Sequence, residues 1–560
     1  TGESMSAIVL VVVALGAFAL AYLVYSRYIA ERIYQLDPDF ETPAHELEDG
    51  VDYVPTDRTV LWGHHFTSVA GAAPIVGPAI AVVWGWLPAF LWVIVGTIFF
   101  AGVHDSGALW ASVRNRARSI GALTEDIVGG RARSLFMIVI FLLLLMVNAV
   151  FAIVIARLFG SVPASVLPAW SVIAVALVIG YLLYRRGVGL FWPSLIALVV
   201  LYGTIVVGEM VPLSLPSQVA GLSSTSVWVL ILFGYSGVAS LLPVWMLLQP
   251  RDYINSLQLF VGLILLFGAV MMANPTVVAP AVNPAVPADA PPLVPLLFVT
   301  IACGAISGFH ALVASGTTSK QLDSEEDVRF VGYLGSVGEG TLAVAAIIAC
   351  TAGFASQEAW EGFYTSFAAG GVDAFVQGGG AIVARGLGLP EGFSETLLAV
   401  MAILFAATTM DTGVRLQRYV IQEWGNIYDI PRITGRFSST LIAVASCVLL
   451  AFGAGQGGGA GGLVIWPLFG TTNQLLAALT LLVISVALLR MGRRTIFTVA
   501  PLTFLLVMTV VALLVQLRGF WESGQYFLVG MDLLILAASI WVALESASAF
   551  VQAWQERYAT

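Results

Sequence analysis

Apolar runs separated by short polar or glycine/proline breaks organise the whole chain, and hydropathy gives about 15 segments of membrane-spanning length. They cover residues 5–26, 66–85, 87–112, 135–158, 169–184, 189–208, 225–248, 254–273, 293–316, 331–353, 396–422, 438–454, 462–489, 497–516 and 527–549. A β-barrel would need short segments of alternating polarity, and these are absent. The pattern predicts an all-α polytopic membrane protein.

Composition agrees. The 560 residues are 59% hydrophobic and 10% charged, whereas a soluble domain is roughly 45–50% apolar and about 25% charged. The net charge of −9 resides in loops and argues against a nucleic-acid partner. Cys303, Cys350 and Cys447 all lie in apolar runs without CxxC spacing, so neither a disulfide framework nor a zinc site is expected, and no cofactor is implied. "TGES" before Met5 reads as an expression remnant. The run that follows is too long for a signal peptide and is read as the first span.

Basic residues then set the expected orientation. Arg114, Arg116, Arg118, Arg131 and Arg133 crowd the loop after the third span. Under strict alternation Arg185, Arg186, Arg251, Lys320, Arg329, Arg432, Arg436, Arg490, Arg493 and Arg494 fall on the same side, leaving Arg157, Arg385 and Arg518 opposite. This predicts an inner-membrane protein with its N-terminus outside and its C-terminus in the cytoplasm. Residues 5–63 form an extra span and an acidic cytoplasmic loop. The proline-rich outer loop "NPTVVAPAVNPAVPADAPPLVP" (274–295, its core 274–292) is either a lid or a passive linker. Segment 354–394 is a second long outer excursion, with glycines and short amphipathic helices. No soluble domain is large enough to house an enzyme.

Two spans carry breakers where a plain lipid-facing helix needs none. "TSVAGAAPIVGPAIA" (67–81) holds Gly71, Pro74, Gly77 and Pro78, and "FGYSGVASLLPVW" (233–245) holds Gly234, Gly237 and Pro243. Proline removes a donor and clashes one turn back. At membrane depth such a break is tolerated only beside protein or a water-filled cavity. Either break alone is equally well a kink made for close packing. Together they sit in the second and seventh spans, an odd separation, so repeats at that spacing run in opposite directions. That is the pattern of an inverted-repeat transporter with its site at the broken helices. Spans 2–11 then form a 5+5 core. The first repeat occupies 64–208 and the second begins within 64–248 and continues over 249–424; further spans occupy 425–560.

"GHHFTSVAGAAPIVGPAIA", "GTIFFAGVHDSGALWASVRNRARSIG", "LLPVWMLLQPRDYIN", "SGFHALVASGTTSKQL", "ATTMDTGVRLQRYVIQE" and "WPLFGTTNQLLAAL" occur in this order between residues 62 and 480. These blocks resemble the carbon starvation protein A (CstA) family. The resemblance implies inner-membrane uptake of peptides or pyruvate and a LeuT-like fold of the APC superfamily. In that fold the ninth span would take the place of the eighth core helix. Ser307 would then stand near the backbone carbonyls of Ala70 and Ala73, a set that suits Na⁺, though serine also back-bonds within membrane helices.

Ionisable residues at bilayer depth are costly and mark function by default. His104 and Asp105 lie in the third span, one residue apart and so directed differently. His310 lies in the ninth span. Asp411 and Arg415 in the eleventh are one turn apart and able to pair. Glu339 in "GSVGEGTLAVAA" has no compensating charge one turn away, which makes it a candidate for carrying a coupling proton. Each has a structural alternative: an ion pair for Asp411, a cap or a pair with an arginine of the basic loop for Asp105, an interhelical hydrogen bond for His310. Lys320 is the chain's single lysine. Lysine, unlike arginine, titrates when buried. Lys320 is therefore either a snorkelling anchor or a gate residue partnered by Glu339 or Asp411. His64 and His65 read as interfacial anchors or a pH sensor. Asn473 and Gln474 read as buried hydrogen-bonders.

The expected function is secondary-active, proton-coupled import of small carboxylates such as pyruvate, or of short peptides, by alternating access. Substrate contacts are expected at Ser68, Gly71, Ala72, Pro74, Gly77, Tyr235, Ser236 and Ser307. The alternative is a Na⁺-coupled amino-acid carrier of the same fold. An intramembrane hydrolase is disfavoured because HExxH and GxSxG are absent, and a pump because the only lysine is followed by Gln321, which excludes a Walker A sequence.

Overall fold

The computed structural model describes residues 5–50, 52–187, 191–243, 246–367, 369–455 and 462–559. Residues 1–4, on which the expected expression remnant falls, and Val244 and Trp245 lie outside them. Among the described residues thirteen helices are long and apolar enough to cross a membrane, or fourteen if one bent pair counts as a single span. The chain is an all-α polytopic membrane protein. Its strands are a two-residue antiparallel pair, Gln218–Val219 with Leu222–Ser223.

The bent pair is the second span. Arg58–Val69 and Ala73–Trp84 meet at 52°, and Ala70 between them leaves the helical region at φ −76°, ψ 82°. Pro74 falls in the first turn of the second half, where its missing N–H costs nothing. The break expected in the seventh span at Gly234 and Gly237 is absent. Ser224–Leu241 is one helix through both glycines. Glycine weakens a helix but keeps its hydrogen bonds. Pro243 acts only beyond the end, where Leu242 is extended as a residue before proline prefers to be.

The second break lies instead in the ninth segment. Leu293–Thr300 and Phe309–Gly316 are two eight-residue helices, joined through Gly304 at φ +90°. Unwound backbone inside a membrane protein must find partners. Trp92 Nε1 donates to Ile301 O at 3.0 Å, Thr97 Oγ1 to Gly304 O at 3.1 Å, and Trp466 Nε1 to Thr300 O at 3.0 Å. Phe309 N donates to Asn473 Oδ1 at 3.1 Å, so Asn473 caps the second half-helix.

The two long helices Gly130–Ser161 and Glu391–Ile427 pack along each other, tied by Asn148 Nδ2 donating to Gln417 Oε1 at 3.0 Å. The fifth and sixth spans, Pro163–Leu183 and Phe191–Met210, pair with each other. At the end opposite the arginine-rich loops, the proline-rich segment is strapped to the broken second span. Asn283 N donates to Trp84 O at 2.9 Å, and Trp84 Nε1 donates to Pro291 O at 3.1 Å. Tyr364, after the short helix Gln357–Phe363, donates its hydroxyl to Ala79 O at 2.9 Å. That end is covered.

Candidate functional site

Three helices bring one polar cluster into the apolar interior. Asp105 and His104 come from Gly102–Arg114, His310 from Phe309–Gly316, and Ser336 and Glu339 from Leu334–Ala352. A π-helical turn precedes two of these helices, Thr97–Ala101 and Arg329–Tyr333; such turns re-aim the residues that follow and recur at functional sites. The two helices cross closely because Gly332 lies against Ser106, where a Cβ would come within 3.0 Å of Ser106 Cα. One turn further on, Ser336 Oγ donates to Asp105 Oδ2 at 2.6 Å.

Asp105 is the acceptor at the centre. His310 Nδ1 lies 2.7 Å from its Oδ2 and His104 Nδ1 lies 2.7 Å from its Oδ1. The sequence separation that directs His104 and Asp105 apart is overridden, since neighbouring side chains can still meet by bending back along the helix. On its other edge His310 Nε2 stands 3.0 Å from Glu339 Oε2, within ion-pair reach though not aligned as a hydrogen bond. His104, Asp105 and His310 are 0% exposed, and Ser336 and Glu339 are 1% exposed.

The arrangement has a chemical consequence. Facing an ionised Asp105, Nδ1 of His310 carries hydrogen, so the neutral ring presents Nε2 to Glu339 as an acceptor and the charged ring presents it as a donor. His310 can therefore meet Glu339 in either sense, as acceptor or as donor. His65 is also buried, at 1% exposed, rather than interfacial. Its Nδ1 is 2.9 Å from Thr318 Oγ1 and its Nε2 has no partner among the described residues.

Asp411 belongs to a different cluster. It pairs with Arg251 and accepts from Tyr235 Oη at 2.9 Å and Ser236 Oγ at 3.2 Å. The expected Asp411–Arg415 pair is absent. Arg415 turns to the seventh span, with Nη2 donating to Ala239 O at 2.9 Å and Leu242 O at 2.7 Å. Tyr235 and Ser236, expected at the substrate, brace this ion pair. Lys320 meets neither Glu339 nor Asp411; its ammonium lies 5.5 Å from the Tyr53 ring centroid.

Ser307 bonds to residues outside the second span. Asn473 Nδ2 donates to its hydroxyl at 3.1 Å, and Cys303 Sγ lies 3.3 Å away. The hydroxyl beside the break is Thr409's, where a Cβ on Gly71 would come within 2.7 Å of Oγ1. Gly77 is packed on the Thr300 carbonyl, and Ala72, Ala73 and Pro74 are buried.

A cavity of about 670 Å³ runs from Ala70 and Ser68 at the break, between the second, eighth, ninth and eleventh spans, to Asp52, Lys320 and Gln321 at the arginine-rich end. Its polar lining comprises Asp252 and Asn255 of the eighth span and Thr408, Thr409, Thr412 and Arg415 of the eleventh, with Asn255 Nδ2 donating to Thr408 Oγ1. A neighbouring cavity of about 430 Å³ shares Ser68 and Asp252 and reaches His64 and His65. Ser68 is the expected substrate residue that lines both. Among the described residues no group of three or more His, Cys, Asp or Glu is arranged to hold a metal ion. Sequence reasoning missed Arg251, Asp252, Ser336 and the threonines. Only Ser336 had a local signal, three residues before Glu339 and so on its helix face.

Comparison with known proteins gives one consistent set of relatives. The profile described as carbon starvation protein CstA matches residues 6–360 and 354–512. The chain is 32% identical over 612 residues to the pyruvate/proton symporter BtsT of Escherichia coli K12, covering 94% of this chain and 85% of that protein. It is 35% identical over 554 residues to the peptide transporter CstA of Mycobacterium tuberculosis H37Rv, covering 88% and 72%. The peptide transporter CstA of Campylobacter jejuni is 31% identical over 582 residues, covering 94% and 82%. In three dimensions the chain resembles the manganese transporter of Eremococcus coleocola, solved with an aromatic bis-isothiourea compound. The TM-score is 0.50 at 12% identity, over 90% of this chain and 99% of that one, a likeness of fold alone.

Proposed function

The chain belongs to the carbon starvation protein CstA family, and from that premise we propose that it is a secondary-active importer coupling inward movement of a small carboxylate or short peptide to protons. One observation carries the coupling: buried His310 is held by Asp105 on one edge and faces Glu339 on the other. Such an edge can load and release one proton without adding a partner. Relatives named as a pyruvate/proton symporter and as peptide transporters support the two substrate classes.

The core is a LeuT-like 5+5 inverted repeat with a different assignment from the one expected. Its broken first helices are the second and ninth spans. Seven steps apart, they are still oppositely directed, which supports inversion. The first repeat comprises spans 2, 3, 4, 7 and 8, with the hairpin of spans 5 and 6 inserted. The second comprises spans 9 to 13. With the arginine-rich end cytoplasmic in an inner membrane, the N-terminus is outside and the cavity opens inward. Closure of the proline-rich side against Trp84 and Tyr364 is the complementary half of alternating access.

Sodium coupling is the second reading, favoured by the Thr409 hydroxyl beside the break at Gly71. The test is uptake of labelled pyruvate and labelled dialanine by the purified protein in proteoliposomes, under an inward proton gradient and then an inward sodium gradient. Proton-driven accumulation supports the leading reading. Accumulation driven by sodium alone transfers coupling to the Thr409 region.

A further inference from the structure

The central cavity is lined by polar groups of both signs. On the eighth span Asp252 Oδ1 and Asn255 Oδ1 are buried acceptors without hydrogen-bond partners, and the two residues lie three apart on one helix face. On the eleventh span Arg415 is 6% exposed and its Nε is a buried donor without a partner. No carboxylate among the described residues pairs with Arg415: Asp411, one turn away, is taken by Arg251. The two carbonyl bonds from Nη2 fix the guanidinium plane without neutralising it.

Buried polar atoms left unpaired are costly. Here they come in opposite signs on two helices that line one cavity. We propose that this cavity is a zwitterion site, in which Arg415 receives the substrate's carboxylate and Asp252 with Asn255 receives its ammonium group. The ligand class is a short peptide or amino acid with both termini free. A keto acid such as pyruvate would satisfy the Arg415 wall only. Lys320 also lines the cavity, but it sits towards the mouth over the Tyr53 ring and lacks the fixed geometry of a guanidinium held on two carbonyls. A volume of about 670 Å³ falls in the usual range for small-ligand sites, roughly 300–1,000 Å³.

This assignment rests on the proposed transport role, and equilibrium binding separates the two. Labelled dialanine is bound to the detergent-purified full chain and competed by dialanine, N-acetyl-dialanine, dialanine amide and pyruvate. For the unaltered protein, loss of either terminal charge should weaken competition by about tenfold or more, with pyruvate resembling the acetylated peptide. In Asp252→Asn, acetylated and free dialanine should compete alike while the amide remains weak. In Arg415→Gln the acid and the amide should compete alike. Arg415→Gln also loosens the end of the seventh span, so the analogue series on the unaltered protein and Asp252→Asn decide if it fails to fold. Equal penalties for acetylation in the unaltered protein and Asp252→Asn would overturn the assignment, as would pyruvate competing as well as dialanine, or no binding of dialanine at all. A protein that binds as expected but accumulates nothing under any gradient would sink the transport reading and leave the site standing.

Discussion

Nδ1 of His310 lies 2.7 Å from Oδ2 of Asp105, and neither side chain is exposed at all. A histidine so held has one fixed hydrogen and one free edge, and the free edge faces Glu339. One edge of the imidazole is thus held by Asp105 while the other meets Glu339.

Glu339→Gln is expected to keep substrate exchange between equilibrated liposomes while accumulation under a proton gradient falls to the equilibrium level. The amide preserves shape but carries no titrating proton. Counterflow and gradient-driven uptake measured on the same preparation check this. Wild-type accumulation would remove Glu339 from the coupling path.

The Arg251–Asp411 pair is expected to hold the eighth and eleventh spans together. Arg251→Met strands a buried carboxylate, and Asp411→Leu strands a buried guanidinium. Each should cost about 3–5 kcal/mol, whereas replacing both by apolar residues can be close to neutral. Thermal unfolding of the purified variants measures the coupling. Additive losses for Arg251 and Asp411 would show that the pair is not the partner set holding these spans.

Asn473→Leu removes the acceptor for Phe309 N and the donor to Ser307. The expected loss is about 1–3 kcal/mol for buried groups left unpaired, with exchange falling because the second half of the ninth span carries His310. Unfolding midpoints and exchange rates are read together. A variant as stable and as active as the parent would mean that this cap is dispensable.

Gly71→Ala should be destabilising by about 1–3 kcal/mol, the usual range for overpacking, because the new methyl meets Thr409 Oγ1 at 2.7 Å. Adding Thr409→Ala should recover much of the loss by removing that oxygen. If the double variant is no more stable than Gly71→Ala, the break needs glycine for a reason other than this contact.

Much of this site was legible one residue at a time. Asp105, His310 and Glu339 stood out because an ionisable side chain within an apolar run is visible without knowing its neighbours. Their union was not legible, since His310 and Asp105 are 205 positions apart. Asp411 shows the opposite outcome. Its four-residue spacing to Arg415 permits a pair, yet Arg251 from another span competes better and Arg415 turns its Nη2 to the carbonyls of Ala239 and Leu242. Spacing along one helix states which contacts are possible and is silent about rivals from other helices.

The broken helices divide in the same way. Gly71 and Pro74 announce the break in the second span because proline acts on its own backbone. The ninth span looks continuous to hydropathy, and its opening at Gly304 exists because Trp92, Thr97 and Trp466 receive the freed carbonyls. The amino-acid sequence by itself determined the membrane class, the approximate spans, the family and the charges that had to be explained, because hydrophobicity, charge and proline chemistry are properties of residues. Only the tertiary structure decided which charges meet, which helix unwinds and where a cavity remains, because those depend on the rotation and register of helices packed against one another.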